Sequence, residues 1–151
     1  HWDWAINPNP REKASFLAEN IFPLKENGQL NFIIGKGPLL EQTPFPFSIL
    51  LIDGHTEKQM LPLLNYKGKK LFYVADLIPT VGHIPIPYIM GYDTRPLLTL
   101  KEKSSFLHHA FLEEALLLLE HDPHHELVSL RQTEKGIRMD ANFSFDSYFN
   151  S

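Results

Sequence analysis

The stretch of sequence that says most about the fold is Leu71-Phe72-Tyr73-Val74-Ala75-Asp76. Its unbroken apolar run predicts a buried strand over residues 70–75, and the carboxylate that follows predicts the start of a loop. Residues 60–66 form a second candidate strand, joined to the first by a short glycine-containing connection typical of a hairpin. Because Pro62 has no backbone N–H to donate, we expect residues 60–66 to lie at an edge of the sheet.

Further elements are predicted upstream of this hairpin. Residues 47–52 are a third candidate strand, and residues 29–34 are a shorter one. Asn9 and Pro10 have the side chains that suit a helix cap and the first helical position, so a helix is expected to start there. Pro23 is expected to end this helix because proline cannot donate the next backbone hydrogen bond.

Downstream, residues 76–96 contain four prolines and predict a loop. Thr99 and Glu102 have the spacing of a capping box, which predicts the start of a second helix. Residues 116–119 fit a buried strand or the buried end of that helix, and we favour the strand. The remaining predictions are strands at residues 127–133 and 136–145 and a frayed tail at 147–151.

The order of these elements is helix, strands, helix, strands, which predicts a mixed α+β fold with a mostly antiparallel sheet covered by helices on one face. The length of 151 residues suits one domain, predicted over residues 1–146.

Composition excludes several classes of protein. The net charge is −4 and no block of Lys and Arg stands out, so nucleic acid is not expected as a partner. The chain has no cysteine, which excludes disulfides and thiolate metal sites. No apolar run is long enough to span a bilayer, so no membrane association is expected. These properties together favour a cytoplasmic location.

Three residues each follow a predicted apolar element at the point where a loop begins: His55, Asp76 and His121. If these elements are neighbours in the sheet, the three side chains converge at one edge, where loops on a rigid scaffold often carry binding groups. Two imidazoles and a carboxylate suit zinc, iron or manganese. From the residues alone, a turn-forming aspartate and surface histidines are the commoner use of such positions.

Ordered motifs around these residues resemble the metallo-β-lactamase superfamily, and more narrowly its lactonase-like and phosphotriesterase-like branch. The motifs are Asp53-Gly54-His55-Thr56, Tyr73-Val74-Ala75-Asp76-Leu77-Ile78-Pro79-Thr80, residues 83–93 and Leu119-Glu120-His121-Asp122. The resemblance runs over residues 2–128 and implies the C-terminal half of the family's αββα sandwich. The family's His-x-His-x-Asp-His cluster does not occur in the printed sequence.

The resemblance implies that His55 and His121 are metal ligands and that Asp76 is the catalytic carboxylate that bridges two metals. The implied activity is hydrolysis of an ester, lactone or phosphotriester by a metal-bound hydroxide, since zinc lowers the pKa of bound water towards about 7. The implied cofactor is two divalent metals, with zinc preferred and iron or manganese as alternatives. Without the missing cluster, the metal sites are expected to be empty or partial and the isolated chain to be inactive.

The resemblance also bears on the neighbouring loops. It implies a substrate pocket beside the loop that follows Asp76, with these candidate lining residues: His83, Tyr88, Met90 and Tyr92. Residues 57–59 stand where relatives commonly have Pro-Gly-His, and this change is expected to alter the shape of the loop more than metal coordination. Asp122 is either a carboxylate that orients a metal ligand or a turn former.

The alternative is a non-catalytic half-domain that serves as an oligomerisation or interaction module. Half of a two-sheet sandwich would expose the apolar face that its other half covers, and such a face is an association site. A homodimer could cover it with a self-complementary interface.

Overall fold

The computed structural model describes residues 1–150, and the chain forms two compact units. The first unit is His1–Lys36, and the second begins at Gly37. Two helices form in the first unit, α1 (Trp2–Ile6) and α2 (Ala18–Glu26). No helix among residues 1–150 is both long and apolar enough to cross a lipid bilayer.

The helix predicted from Asn9 begins later than expected. The Asn9 side-chain oxygen does cap the chain locally, because it accepts the amides of Arg11 and Glu12 at 2.9 and 3.1 Å. These bonds close a turn rather than a helix, and α2 starts only at Ala18. A capping side chain is used equally well by turns and by helices, so the Asn9-Pro10 signal does not distinguish the two.

The end of α2 is also displaced from its predicted place. Pro23 lies inside the helix, and its carbonyl still accepts the amide of Asn27 at 3.0 Å. The helix ends before Gly28, whose φ of +68° belongs to the left-handed region that closes many helices. The strand predicted at residues 29–34 is absent, and no strand forms in the first unit as described to pair with it.

The second unit is built on a seven-stranded sheet whose strands follow one another in chain order. The strands are β1 (Leu39–Leu40), β2 (Ser48–Ile52), β3 (Gln59–Tyr66), β4 (Lys69–Tyr73), β5 (Leu116–Leu118), β6 (Leu127–Thr133) and β7 (Gly136–Phe143). All neighbouring pairs are antiparallel except β4 and β5, which are parallel. The predicted mixed α+β class and mostly antiparallel sheet are therefore confirmed.

The parallel pair requires a long crossover, because the chain must return to the end of the sheet from which β4 started. This crossover contains short 3₁₀ helices at Ala75–Leu77 and Val81–His83, and then helix α3 (Pro96–Leu112). Since β3 runs antiparallel to both β2 and β4, the strands β2, β4 and β5 all run in the same direction. The loops that leave their carboxyl ends therefore emerge at one edge of the sheet.

Helices cover both faces of the sheet rather than the one face expected. Side chains alternate between faces along each strand, so Leu71 and Phe72 point in opposite directions. On one face, α3 packs against the sheet and contributes Phe106, Leu107 and Ala110 to the main core. The strand residues in this core include Ile52, Leu61, Phe72, Leu117 and Val128. On the other face, helix α4 (Phe145–Phe149) packs in a smaller cluster: Leu71, Leu116, Leu127 and Phe149.

Three local expectations are corrected in the second unit. Pro62 lies on the interior strand β3 and not at an edge of the sheet. The pairing between β3 and β4 starts only at Leu63, so the N–H that Pro62 lacks removes no hydrogen bond between these two strands. The helix α3 begins at Pro96, and Thr99 is fully buried inside its first turns instead of capping it. Residues 147–149, expected to be frayed, belong to α4, which Ser144 caps by accepting the Ser147 amide at 3.2 Å.

Candidate metal centre

The three residues singled out at strand ends meet in the structure. Asp76 follows β4, and one of its carboxylate oxygens lies 3.1 Å from Nε2 of His121, which follows β5. Its other oxygen lies 3.6 Å from Nε2 of His55, which follows β2. One carboxylate thus stands between two imidazoles, with one imidazole at each oxygen. The role of the three residues as metal ligands stays a prediction.

The donor types fit a divalent transition metal, because imidazole nitrogen and carboxylate oxygen are common ligands of zinc. Two ligand atoms that each lie 2.0–2.1 Å from one tetrahedral zinc are about 3.3 Å apart. The distances from the Asp76 oxygens to Nε2 of His121 and His55, 3.1 and 3.6 Å, are close to this value. However, no group of three His, Cys, Asp or Glu side chains among residues 1–150 closes around a common point as a metal cage. The described residues alone therefore do not form a complete metal site.

The loop that carries His55 is fixed to α3 through its backbone. The Glu102 carboxylate accepts the amides of Asp53 at 2.8 Å and Gly54 at 2.9 Å. Burial raises the pKa of Glu102, although the two amides act in the opposite direction. Arg95 donates to the Asp53 carbonyl at 2.7 Å and to Glu57 at 2.9 Å. Glu102 therefore serves the His55 loop, whereas the sequence suggested that it caps its own helix.

Asp93 contacts His55 from the side opposite Asp76. Its Oδ1 lies 2.9 Å from Nδ1 of His55, and the Asp93 side chain is completely buried. Its second oxygen, Oδ2, is buried without a hydrogen-bond partner. Asp93 ends the motif at residues 83–93, but its contact with His55 could not be predicted from the sequence, because the two residues lie 38 positions apart.

Gln59 also reaches the centre. Its side-chain amide donates to Oδ2 of Asp76 at 3.1 Å, which is the oxygen that faces His55. The amide oxygen of Gln59 is buried without a hydrogen-bond partner. The change at residues 57–59 was expected to affect loop shape, and the structure shows in addition a direct contact with Asp76.

A tyrosine joins the two strand ends that carry Asp76 and His121. The Tyr73 hydroxyl, at the end of β4, donates to the carboxylate of Glu120, next to His121. Burial, this hydrogen bond and the nearby charges of Glu120 and Asp76 raise the pKa of Tyr73 to about 12. The hydroxyl therefore stays protonated at neutral pH, and its hydrogen bond to Glu120 links the two loops that carry Asp76 and His121.

Asp122 is a turn former that also links two loops. Its Oδ1 accepts the amides of His124 and His125, each at 3.0 Å, and lies 2.8 Å from the His125 ring. Its Oδ2 accepts the amide of Val81 at 2.9 Å. Burial raises the pKa of Asp122, but these hydrogen bonds outweigh it and lower the pKa to about 2. The His121 loop is thereby tied to the loop after Asp76.

The loop with the candidate pocket residues is organised around a buried lysine. Lys103 of α3 is fully buried, and its ammonium donates to the carbonyls of His83 at 2.9 Å, Pro85 at 3.2 Å and Tyr88. Burial lowers the pKa of Lys103 to about 8. On this loop the side chains of Tyr88 and Tyr92 are 63% and 77% exposed, whereas Met90 and His83 are half-buried.

Within this loop, His83 is held by Thr80, whose hydroxyl lies 2.9 Å from the ring Nδ1. Burial and the charge of Lys103 lower the pKa of His83. A neutral imidazole and two exposed phenols suit contact with an uncharged organic molecule. The part played by His83, Tyr88, Met90 and Tyr92 in substrate binding stays a prediction.

No protein-family model matches this sequence, and no curated protein matches it either. Solved structures do match. A probable metal-dependent hydrolase from Staphylococcus aureus aligns with a TM-score of 0.73 and 22% identity, over 94% of this chain and 48% of that one. AidC, a dizinc quorum-quenching lactonase, aligns with a TM-score of 0.68 and 24% identity, over 95% and 52% of the two chains.

A third match is AbOPH, a hydrolase in the β-lactamase superfamily, with a TM-score of 0.73 and 14% identity. The alignment covers 95% of this chain and 51% of that one. At these identities the similarity is one of fold, and the chain spans about half the length of each of the three structures. The second half of a metallo-β-lactamase fold had been expected from the motifs, and the chain has the fold of about half of a β-lactamase-superfamily hydrolase.

Proposed function

We propose that this chain supplies part of the active site of a metal-dependent hydrolase that acts on esters, lactones or phosphotriesters. The observation that carries the proposal is the position of Asp76 between two imidazoles, with His55 at one carboxylate oxygen and His121 at the other. A carboxylate with one donor at each oxygen is suited to bridge two metal ions. The hydrolase and lactonase structures of the same fold support the same assignment.

In this proposal His55, Asp76 and His121 would hold divalent metal. The metal, preferably zinc, supplies the activation of water at neutral pH. The protein side chains around it keep the three ligands in place: Glu102 and Arg95 fix the His55 loop, and Asp122 fixes the His121 loop. A small uncharged ester or lactone would lie beside Tyr88 and Tyr92.

The site needs further ligands, because the printed sequence has no His-x-His-x-Asp-His cluster and no complete cage forms among residues 1–150. We propose that a segment outside the printed sequence supplies them, as part of the same protein. The printed chain alone is then expected to bind metal weakly and to hydrolyse nothing at a measurable rate.

The experiment compares the full-length gene product with its His121→Ala variant. Metal is removed with a chelator, zinc is titrated back, and bound metal and hydrolysis are measured for an N-acyl homoserine lactone, a p-nitrophenyl ester and a phosphotriester. We expect His121→Ala to lose at least one equivalent of zinc and most of the hydrolysis. His108, exposed on α3, provides the matched control as His108→Ala. Equal metal content and equal rates in wild type and His121→Ala would refute the proposal.

A second candidate function is an oligomerisation module. On β3 the side chains that point away from the main core include Met60, which is 47% exposed, and Tyr66, which is 38% exposed beside Phe145 and Phe149 of α4. Apolar side chains at this position favour a covering partner, such as a second copy of the chain. Sedimentation velocity of wild type and Met60→Lys distinguishes the two functions: a dimer that Met60→Lys dissociates would support the module, and a concentration-independent monomer would exclude it.

A further inference from the structure

We infer that Asp93 is the positioning residue for His55: its buried carboxylate accepts a hydrogen bond from the proton on Nδ1 of the imidazole and so turns Nε2 towards Asp76. The inference deepens the proposed function. The contact between Asp93 and His55 is part of the structure, and its use in orienting a metal ligand rests on that proposed function. It concerns a residue outside the three proposed ligands and outside the candidate pocket.

The first step is the proton on the ring. An ionised carboxylate can only accept hydrogen bonds, so a 2.9 Å contact between Oδ1 of Asp93 and Nδ1 of His55 requires the proton to be on Nδ1. The choice of protonated nitrogen in a ligand histidine is commonly set in this way by the partner of its second nitrogen.

The second step is the distance on the other side of the ring. Nε2 of His55 is 3.6 Å from Oδ2 of Asp76, which is too long for a hydrogen bond. By contrast, Nε2 of His121 is 3.1 Å from Oδ1 of the same carboxylate, within hydrogen-bonding range. Because Asp93 occupies Nδ1, it is Nε2 of His55 that faces the carboxylate of Asp76, so the atom proposed to hold metal is turned towards another proposed ligand.

The third step is the unpaired oxygen. Oδ2 of Asp93 is buried without a hydrogen-bond partner, and a buried carboxylate with an unused oxygen is unfavourable unless positive charge is nearby. Lys103 supplies one such charge, since the carboxylate of Asp93 acts to raise the pKa of this lysine. Positive charge transferred to the His55 ring from a bound metal would supply another.

The fourth step is the rigidity of the pair. The segment that carries Asp93 is hydrogen-bonded to the segment that carries His55 along its backbone. Thr94 donates to the His55 carbonyl from its amide at 3.1 Å and from its hydroxyl at 2.9 Å, and the Arg95 amide donates to Gly54 at 2.8 Å. These bonds hold the backbones of Asp93 and His55 at a fixed separation, so the short Asp93 side chain reaches the ring without a rearrangement of either segment.

The experiment reads the ring proton directly in the metal-free protein. Long-range ¹H–¹⁵N spectra of ¹⁵N-histidine-labelled wild type at pH 7.5 distinguish a protonated from an unprotonated ring nitrogen, and His55→Gln identifies the signal. We expect Nδ1 of His55 to be protonated. An unprotonated Nδ1 would overturn the inference, whatever the stability of any variant.

The second measurement is zinc affinity by competition with a chromogenic chelator, for wild type, Asp93→Asn and Asp140→Asn. Asp93→Asn is expected to bind zinc about 10- to 100-fold more weakly, the effect typical of removing such a partner. Asp140→Asn is the matched control: its carboxylate is exposed on β7, where it faces Arg131. Unchanged affinity in Asp93→Asn would also overturn the inference.

The two proposals fail in different ways. A wild-type protein that binds no zinc and hydrolyses no ester would refute the proposed function, while the metal-free spectrum would still decide where the His55 proton is. A hydrolase whose His55 has no proton on Nδ1 would retain the proposed function and lose the role of Asp93.

Discussion

Gly54 lies so close to Thr99 that a Cβ on this glycine would stand 2.4 Å from the Thr99 backbone nitrogen and 2.6 Å from its Cα. The contact is between two backbones, so no side-chain rotation can relieve it. The same glycine donates its amide to Glu102 and accepts the amide of Arg95. The residue before His55 is thus placed by the first turns of α3, and a side chain there would displace the proposed ligand.

Gly54→Ala is therefore expected to destabilise the fold by about 1–3 kcal/mol, the range found for overpacked sites, and to weaken zinc binding. Gly91→Ala is the control, since a Cβ at that position meets nothing within 4 Å. Urea unfolding of both variants measures the difference. A Gly54→Ala protein as stable as Gly91→Ala would contradict the close packing described for this loop.

Lys103→Met is expected to destabilise the protein by about 3 kcal/mol at pH 7, because three carbonyls of the 83–88 loop lose their donor in a buried place. Hydrogen exchange should become faster for amides of this loop before it does so in the sheet. Lys101→Met, at an exposed position of the same helix, should change neither quantity. Equal exchange in the two variants would mean that the lysine does not hold the loop.

Much of the second unit could be predicted because its strands are local features of the sequence. The apolar runs at residues 70–75 and 116–119 need no knowledge of their partners to be recognised as buried strands. The positions of His55, Asp76 and His121 at strand ends could be predicted for the same reason. The family resemblance added their order, and the structure brought the three side chains together.

What could not be predicted depends on contacts between distant parts of the chain. Glu102 has the spacing of a capping box, but the amides it accepts lie 48 and 49 residues away. Asp93 and Lys103 are ordinary polar residues in sequence, and only burial reveals their function. In the first unit, Asn9 and Pro23 have strong local signals that the chain uses for a turn and a helix interior, because a cap or a proline permits several structures.

Acid should unfold the protein partly through Asp122. Its pKa is about 2 in the native state and 3.8 in its ordinary state, so its contribution to stability is complete above pH 3.8 and is lost as the pH falls towards 2. Asp122→Asn should lower the free energy of unfolding at pH 7 by about 2 kcal/mol and flatten its dependence on pH below 4. Parallel acid-unfolding profiles of wild type and variant would show that the carboxylate is not stabilised in the native state.

At alkaline pH two groups act in opposite directions. Lys103 has a native pKa of about 8 against an ordinary 10.5, so the unfolded chain holds more protons and stability should rise between these values. Tyr73 has a native pKa of about 12 against an ordinary 10.0, so the native state holds more protons and stability should fall through that window. Tyr73→Phe should remove the fall above pH 10, which urea unfolding at pH 9, 10 and 11 would show.

The single parallel pairing in the sheet has a consequence for how the molecule folds. Leu71 pairs with Leu116, so the chain must close a long loop, with α3 inside it, before β4 and β5 can join. The hairpins β3–β4 and β6–β7 need no such closure, and loop entropy favours their earlier formation. Asp76 and His121 become neighbours only in this late step, so we expect metal to have no affinity for the early hairpins and to act on the rate of unfolding rather than on the rate of folding.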